Sequence, residues 1–253
     1  MFIRPKFDIS GRQIISRVYG KTAFALQNIT VQKLKAGETA EILEPEMETA
    51  VLLIKGDVEF FFAEKKEAAG RASIFSDPTL LHVPKDVPVA VTAEKDSEIL
   101  IQSTFNDKEF EPKIYRKGDY RVFVGCEGKW ENTAVRDVVT ILEYDRAPYS
   151  NMVVGEVYAR QGRWWSYIPH HHPQPEVYYY KFERPEGFGA CFIGEKAYTI
   201  KDGAAGLFEA GKTHPQVTAP GYPMYCAWMI RHLEGNPWRD TRTDDERYSW
   251  LLK

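Results

Sequence analysis

The run Pro169-His170-His171-His172-Pro173-Gln174-Pro175-Glu176-Val177-Tyr178 puts three imidazoles and one carboxylate within a few residues of each other. On a strand, residues two apart face the same side. His170 and His172 therefore point together, and His171 points away. Pro-Gln-Pro makes a turn, and Glu176 opens the next strand, over 177–182. About forty residues later, Glu209-Ala210-Gly211-Lys212-Thr213-His214-Pro215 supplies a further imidazole behind a Gly-containing turn. Folded back inside a barrel, His170, His172, Glu176 and His214 form a set suited to one borderline divalent metal ion. One or two coordination positions are left for substrate oxygens. Taken singly, each histidine is as well explained by a solvated loop or a structural turn before proline. The joint spacing is what points to a metal.

The flanking sequence reads as strand. Ala50-Val-Leu-Leu-Ile54, Val58-Glu-Phe-Phe-Phe62, Val87-Pro-Val-Ala-Val-Thr92, Ile99-Leu-Ile-Gln102 and Val153-Val-Gly-Glu-Val-Tyr158 are short, β-branched or aromatic, and bounded by turn residues. No window of a dozen residues has a helical apolar stripe, and the best helical candidate is short, around 244–252. Many short strands at this spacing predict an all-β protein of the sandwich or barrel type.

An internal repeat divides the chain. Leu81-His-Val-Pro-Lys-Asp-Val-Pro-Val-Ala-Val-Thr-Ala93 aligns without a gap on Leu207-Phe-Glu-Ala-Gly-Lys-Thr-His-Pro-Gln-Val-Thr-Ala219, an offset of 126 positions (81 against 207). The same offset lays Ala50-Val-Leu-Leu-Ile-Lys55 under Glu176-Val-Tyr-Tyr-Tyr-Lys181. Two copies of one all-β domain are expected, 1–105 and 106–253, joined through a connector over about 104–120. At that offset Glu44, Glu46, Ala50 and Pro88 fall under His170, His172, Glu176 and His214. Only the second copy should hold metal.

Composition narrows the function classes. The chain has 253 residues, with 33 Lys+Arg against 36 Asp+Glu and a formal net charge of −3, which leaves no basic footprint for nucleic acid or an anionic membrane. No apolar run approaches the roughly 18–20 residues that span a bilayer. The first residues lack the pattern of a secretory signal. Three dispersed cysteines, Cys126, Cys191 and Cys226, read as free thiols of a reducing compartment. A cytoplasmic protein with a small-molecule partner is expected, and a homo-oligomer is compatible with open-edged barrels.

The His-x-His-x(3)-Glu pattern followed by Gly-x-x-His resembles the cupin family, and two copies in one chain resemble a bicupin. Asn132-Thr-Ala-Val-Arg136-Asp-Val138, Val154-Gly-Glu-Val-Tyr158, Gly162-Arg-Trp-Trp-Ser-Tyr-Ile-Pro-His170, Tyr178-Tyr-Tyr-Lys-Phe182 and the segment from His214-Pro215 to Tyr222 resemble the 5-deoxyglucuronate isomerase family of inositol catabolism. The 4-deoxy-5-ketouronate isomerases of pectin breakdown are similar in architecture. The resemblance is dense over 125–230 and architectural over 1–105. One departure is the short Pro-Gln-Pro link, where the inositol enzymes have a longer acidic loop.

The resemblance implies two tandem cupin (jelly-roll) barrels and aldose–ketose isomerisation of a deoxy-uronic acid with one divalent ion, Zn first, with Mn, Fe, Co or Ni as alternatives. Such chemistry needs a proton carrier. Glu156 is the first candidate and Tyr178 the second, although Glu156 can equally pair with Arg160 on an outer face. Tyr178 and Tyr180 share the parity of Glu176 and should face the interior, with Tyr179 outward. For the substrate's carboxylate, Arg136 is the first candidate because a guanidinium fork matches a carboxylate. Arg160 and Arg163 stand behind it, with Tyr180 and Tyr222 as further substrate contacts. The same ligands also suit an Fe-dependent oxygenase or a non-catalytic sugar-acid-binding module, since cupin barrels host many functions.

Overall fold

A computed structural model describes all residues, 1–253. The chain is built from antiparallel strands, and its only helices are three short 3₁₀ segments, Gly20–Ala25, Trp130–Asn132 and Glu246–Leu252. The last of these lies where the sequence suggested a short helix. No helix is long and apolar enough to cross a membrane.

The strands form two compact units. The first comprises Pro5–Tyr120 and Arg146–Asn151, and the second Met1–Arg4, Arg121–Asp145 and Met152–Lys253. The chain passes between them at Tyr120/Arg121, later than the expected 105/106, because Lys113–Tyr115 adds a strand beside Leu80–Val83. Phe2–Ile3 is counted with the second unit because it pairs with Ala205–Phe208. Met1 fixes that pairing, its nitrogen donating to the Leu207 carbonyl at 2.6 Å.

In the first unit a nine-stranded sheet curls on the long strand Met47–Phe62. Its first half pairs with Leu80–Val83 and Ser97–Phe105, and its second with Lys65–Arg71 and Val89–Ala93. Gly56 makes the bend between these halves. Its φ is +114°, and a Cβ there would sit 2.1 Å from Ser97 Oγ. Val51, Leu53, Val58, Phe60, Val91, Ile99 and Ile101 fill the interior.

The second unit has a seven-stranded sheet in the order Phe2–Ile3, Ala205–Phe208, Glu176–Lys181, Met224–Arg231, Met152–Ala159, Arg136–Leu142, Arg121–Gly125. A four-stranded sheet completes it, Trp164–Trp165, Gln216–Thr218, Gly189–Ile193 and Lys196–Ile200 in that order. The interior is aromatic, with Trp165, Tyr178, Tyr180, Phe182, Phe208 and Trp228 in one cluster.

The duplication shows in the strand registers. Thr30 pairs with Ile101 in the first unit and Glu156 with Ala227 in the second, each partner displaced by 126. A β-bulge recurs at the same displacement, between Ile14 and Ser16 and between Thr140 and Leu142. The facing of the ligand strand does not follow this offset. Val51 and Leu53 point inward in the first unit, but Val177 and Tyr179 do not in the second. The pairing of that strand does keep the offset, since Ala50 opposite His82 lies 126 positions from Glu176 opposite Phe208. Only the facing differs, as Ala50 stands one position off the inward residues of its strand.

Candidate metal centre

His172, Glu176 and His214 converge on the interior of the second unit, their ligand atoms all within 4.8 Å of one another. Local pairing explains the convergence. His170–His171 forms a short ladder with Thr243–Asp244, which leaves His172 at its end. Glu176 begins the strand held between Ala205–Phe208 and Met224–Arg231. The loop carrying His214 docks on His172, because the Gly211 nitrogen donates to the His172 carbonyl at 3.1 Å. All three ligand residues are at least nine-tenths buried.

The polar atoms of this cluster fit a cation. His214 Nδ1 lies 2.9 Å from the Lys212 carbonyl, which can only accept, so in the neutral ring Nε2 carries the lone pair. That nitrogen has no hydrogen-bond partner and lies 3.0 Å from Glu176 Oε2. Two lone pairs at this distance repel unless a positive charge lies between them. His172 Nε2 approaches the same oxygen at 3.2 Å, and its buried Nδ1 is also without a partner. Two imidazoles and a carboxylate are a donor set for a borderline divalent ion. Burial pushes the Glu176 carboxyl up, but the close approach of the His172 and His214 imidazoles outweighs it and holds the group at about 2.

His170 stands beside the triad and not within it. Its ring centre is 5.4 Å from that of His214, and Nδ1 is tied to the Ile168 carbonyl at 2.8 Å, leaving Nε2 as the lone-pair nitrogen. Burial, helped by the neighbouring His214, lowers its pKa to about 3, so the ring is neutral. His171 pairs with Thr243 on the adjacent ladder position.

These groups open onto a cavity of about 390 Å³. Tyr178 lines it, with its hydroxyl 3.5 Å from Ser166 Oγ. Burial and then the Glu176 charge raise the phenol well above its ordinary value, so it keeps its proton. Arg136 lines the cavity too and is 9% exposed. Its Nη1 donates to Cys126 Sγ at 2.7 Å and to the Ala134 carbonyl at 3.1 Å. No carboxylate pairs with it. Arg121 and Arg242 also reach the cavity, but each is matched by acids, Arg121 by Glu143 and Asp240 and Arg242 by Asp244. The sequence reasoning missed both arginines, and also Trp228 and Trp238. Arg121 had a signal, because it opens the β-branched and aromatic run Arg121-Val122-Phe123-Val124.

Other expected site residues lie elsewhere. Glu156 is fully buried on Met152–Ala159, but Val153, Val157 and Ala159 are the inward residues there. Glu156 therefore faces the opposite side of the sheet, where it accepts from Tyr158 at 2.5 Å and Tyr225 at 2.7 Å. This placement corrects its expected position at the cavity. Arg160 pairs with Asp137 at 3.0 Å and lines a separate surface depression with Arg163. Tyr180 is inward but below the cavity, its hydroxyl donating to Gln216 at 2.9 Å. Tyr222 packs at the edge of the interior cluster, 6.1 Å from the Phe188 ring. Tyr179 is buried on the face away from the cluster.

Comparison with known proteins bears on this site. The 5-deoxy-glucuronate isomerase of Geobacillus thermodenitrificans is 25% identical over 240 residues, 82% of this chain and 84% of that one. The Bacillus subtilis protein of the same name is 23% identical over 200 residues, 72% and 71% of the two chains. Among solved structures, an IolB-like protein from Salmonella typhimurium covers 100% of this chain and 99% of its own with a TM-score of 0.89 at 22% identity. A Bacillus subtilis oxalate decarboxylase gives a TM-score of 0.70 at 10% identity over 100% and 81% of the chains. These likenesses establish the cupin fold. The model of the KduI/IolB family matches residues 2–251, and the chain belongs to that family.

Proposed function

We propose that this protein is a metal-dependent aldose–ketose isomerase of a deoxy-uronic acid, converting 5-deoxy-glucuronate to 5-dehydro-2-deoxy-gluconate. The names of its relatives support an isomerase of this type. One observation carries the substrate assignment. A cavity with His172 and Glu176 of the cluster in its wall also holds one buried guanidinium, Arg136, that no carboxylate of the chain neutralises. Such a cavity suits a molecule with vicinal oxygens at one end and a carboxylate at the other.

His172, Glu176 and His214 would hold the ion, with His170 as the fourth donor; Zn is the first candidate and Mn, Fe, Co and Ni the others. A divalent ion there supplies Lewis acidity and a template for the two oxygens of an α-hydroxy aldehyde. Arg136 fixes the far carboxylate and so sets which carbon meets Tyr178. Tyr178, held protonated, is the group placed to give a proton to a developing oxyanion and recover it. Trp165, Trp228 and Trp238 wall the cavity and exclude water from that exchange.

The test is proton NMR of the metal-loaded protein with 5-deoxy-glucuronate in D₂O, beside a chelated control. Loss of the aldehyde signal with growth of a ketone product, only with metal, is expected. Turnover of a 4-deoxy-5-ketouronate instead would move the assignment to the pectin substrate. Binding of either without turnover would make this a sugar-acid-binding protein, and oxygen consumption with iron an oxygenase.

A further inference from the structure

The inward face of the seven-stranded sheet has Glu176 and Tyr178 towards one end and Arg136 at the other, with mainly hydrocarbon between them and Thr140 to one side, opposite Gly155. Ile230 lies directly across from Glu176, and Trp228 across from Tyr178. On its other side Trp228 faces Gly155, and one inward position further along that strand Val157 faces Val138. Arg136 is the next inward residue after Val138 on its strand. A ligand reaching from Glu176 to Arg136 therefore crosses Trp228, Val157 and Val138. The one polar atom in this patch, Trp228 Nε1, is turned onto Gly155, where a Cβ would sit 2.6 Å from it.

We infer that Val157, Val138 and Trp228 select a deoxy sugar acid over its hydroxylated parent, by presenting hydrocarbon to the substrate carbon next to the carboxylate. This rests on the isomerase proposed above. A methylene there exchanges water for an apolar wall. A hydroxyl at the same carbon is stripped of water and finds no partner. Apolar sites discriminate against an added hydroxyl by about a hundredfold. Gly155 is a positioning residue for this wall. A Cβ on it would lie 2.2 Å from the Trp228 ring, so only glycine lets the indole lie down against the sheet and leave the cavity open.

The experiment compares 5-deoxy-glucuronate with glucuronate, by kcat/KM and by calorimetric Kd, in the wild type, Val157→Thr and Val138→Thr. Threonine keeps the shape of valine and adds a hydroxyl to the patch. Val138 is only half-buried, so its variant guards against loss of the fold, which circular dichroism checks. The wild type should prefer the deoxy acid by about a hundredfold. Either variant should narrow that preference about tenfold, mainly through a gain with glucuronate. A wild-type ratio near one, or a ratio unmoved in both folded variants, overturns the inference and leaves the isomerase standing. Neither acid bound nor turned over by the wild type overturns both.

Discussion

Replacing Arg136 with methionine separates substrate binding from structure in one variant. The guanidinium is nine-tenths buried, gives two hydrogen bonds through Nη1 and has no anionic partner in the chain. When a substrate carboxylate occupies the cavity, the interaction lost is one charge-assisted contact, about 1.5–3 kcal/mol. At about 1.4 kcal/mol per tenfold, KM should rise about 10- to 150-fold. The carboxylate is remote from the reacting carbons, so ground state and transition state lose it alike, and kcat should stay within about threefold. Stability should move the other way. Burying an uncompensated charge costs the free protein, so an apolar replacement of similar length should hold its melting temperature or raise it by about 2–4 °C per kcal/mol gained. Steady-state kinetics with 5-deoxy-glucuronate and a thermal melt of the ligand-free protein read both effects. An unchanged KM would falsify the assignment of Arg136 to the carboxylate.

Other outcomes follow from the same geometry. His172→Ala should lose stoichiometric Co(II) binding, read by its visible absorption, while keeping the β-sheet circular dichroism, and His171→Ala should bind as the wild type does; the reverse pattern would move the site. Acid should weaken the metal-free fold. The folded pKa of His170 is lowered to about 3 and that of Glu176 to about 2, so the unfolded chain binds more protons between these values and the ordinary ones. Their stabilisation is complete above about pH 6.5 and is lost as pH falls toward 2–3. Urea midpoints that stay level from pH 7 to pH 4 would contradict this. Iodoacetamide should label Cys126, which lines the cavity, and spare Cys191 and Cys226, which are fully buried, with the Cys191 thiol pushed up to about 11 by burial. Peptide mass mapping reads it, and equal labelling of all three would show the cavity is not the route of access.

The sequence carried the fold because strand alternation and turn residues are local signals, and it pointed to the triad because His172 and Glu176 flank one short turn and His214 follows a glycine turn, both local patterns. It failed where facing depends on pairing between distant strands. Glu156, Tyr158 and Arg160 do share a face, but both faces of Met152–Ala159 are buried, so polarity along the strand does not tell the cavity side from the other. The repeat offset has the same weakness. Residue identities and the pairing of this strand align at 126, while the facing does not, since Val51 and Leu53 are inward in one unit and Tyr178 and Tyr180 in the other. Arg121 and Arg242 lie about 120 residues apart in the chain, and only the folded unit brings them to one cavity. Arg136 was legible as a candidate, but its lack of an acidic partner, the property that supports its assignment, exists only in three dimensions.

The pairing of Phe2–Ile3 with Ala205–Phe208 has a consequence in time. These residues are made some two hundred positions before the strand they pair with, and must wait for it. Contacts of such sequence separation pay their loop-closure entropy late and form slowly. Until they form, Ala205–Phe208 is an open edge beside the strand that begins at Glu176. The unit that carries the candidate metal centre is thus sealed late. A nascent protein stalled near that stage would expose a sheet edge to its neighbours on the polysome.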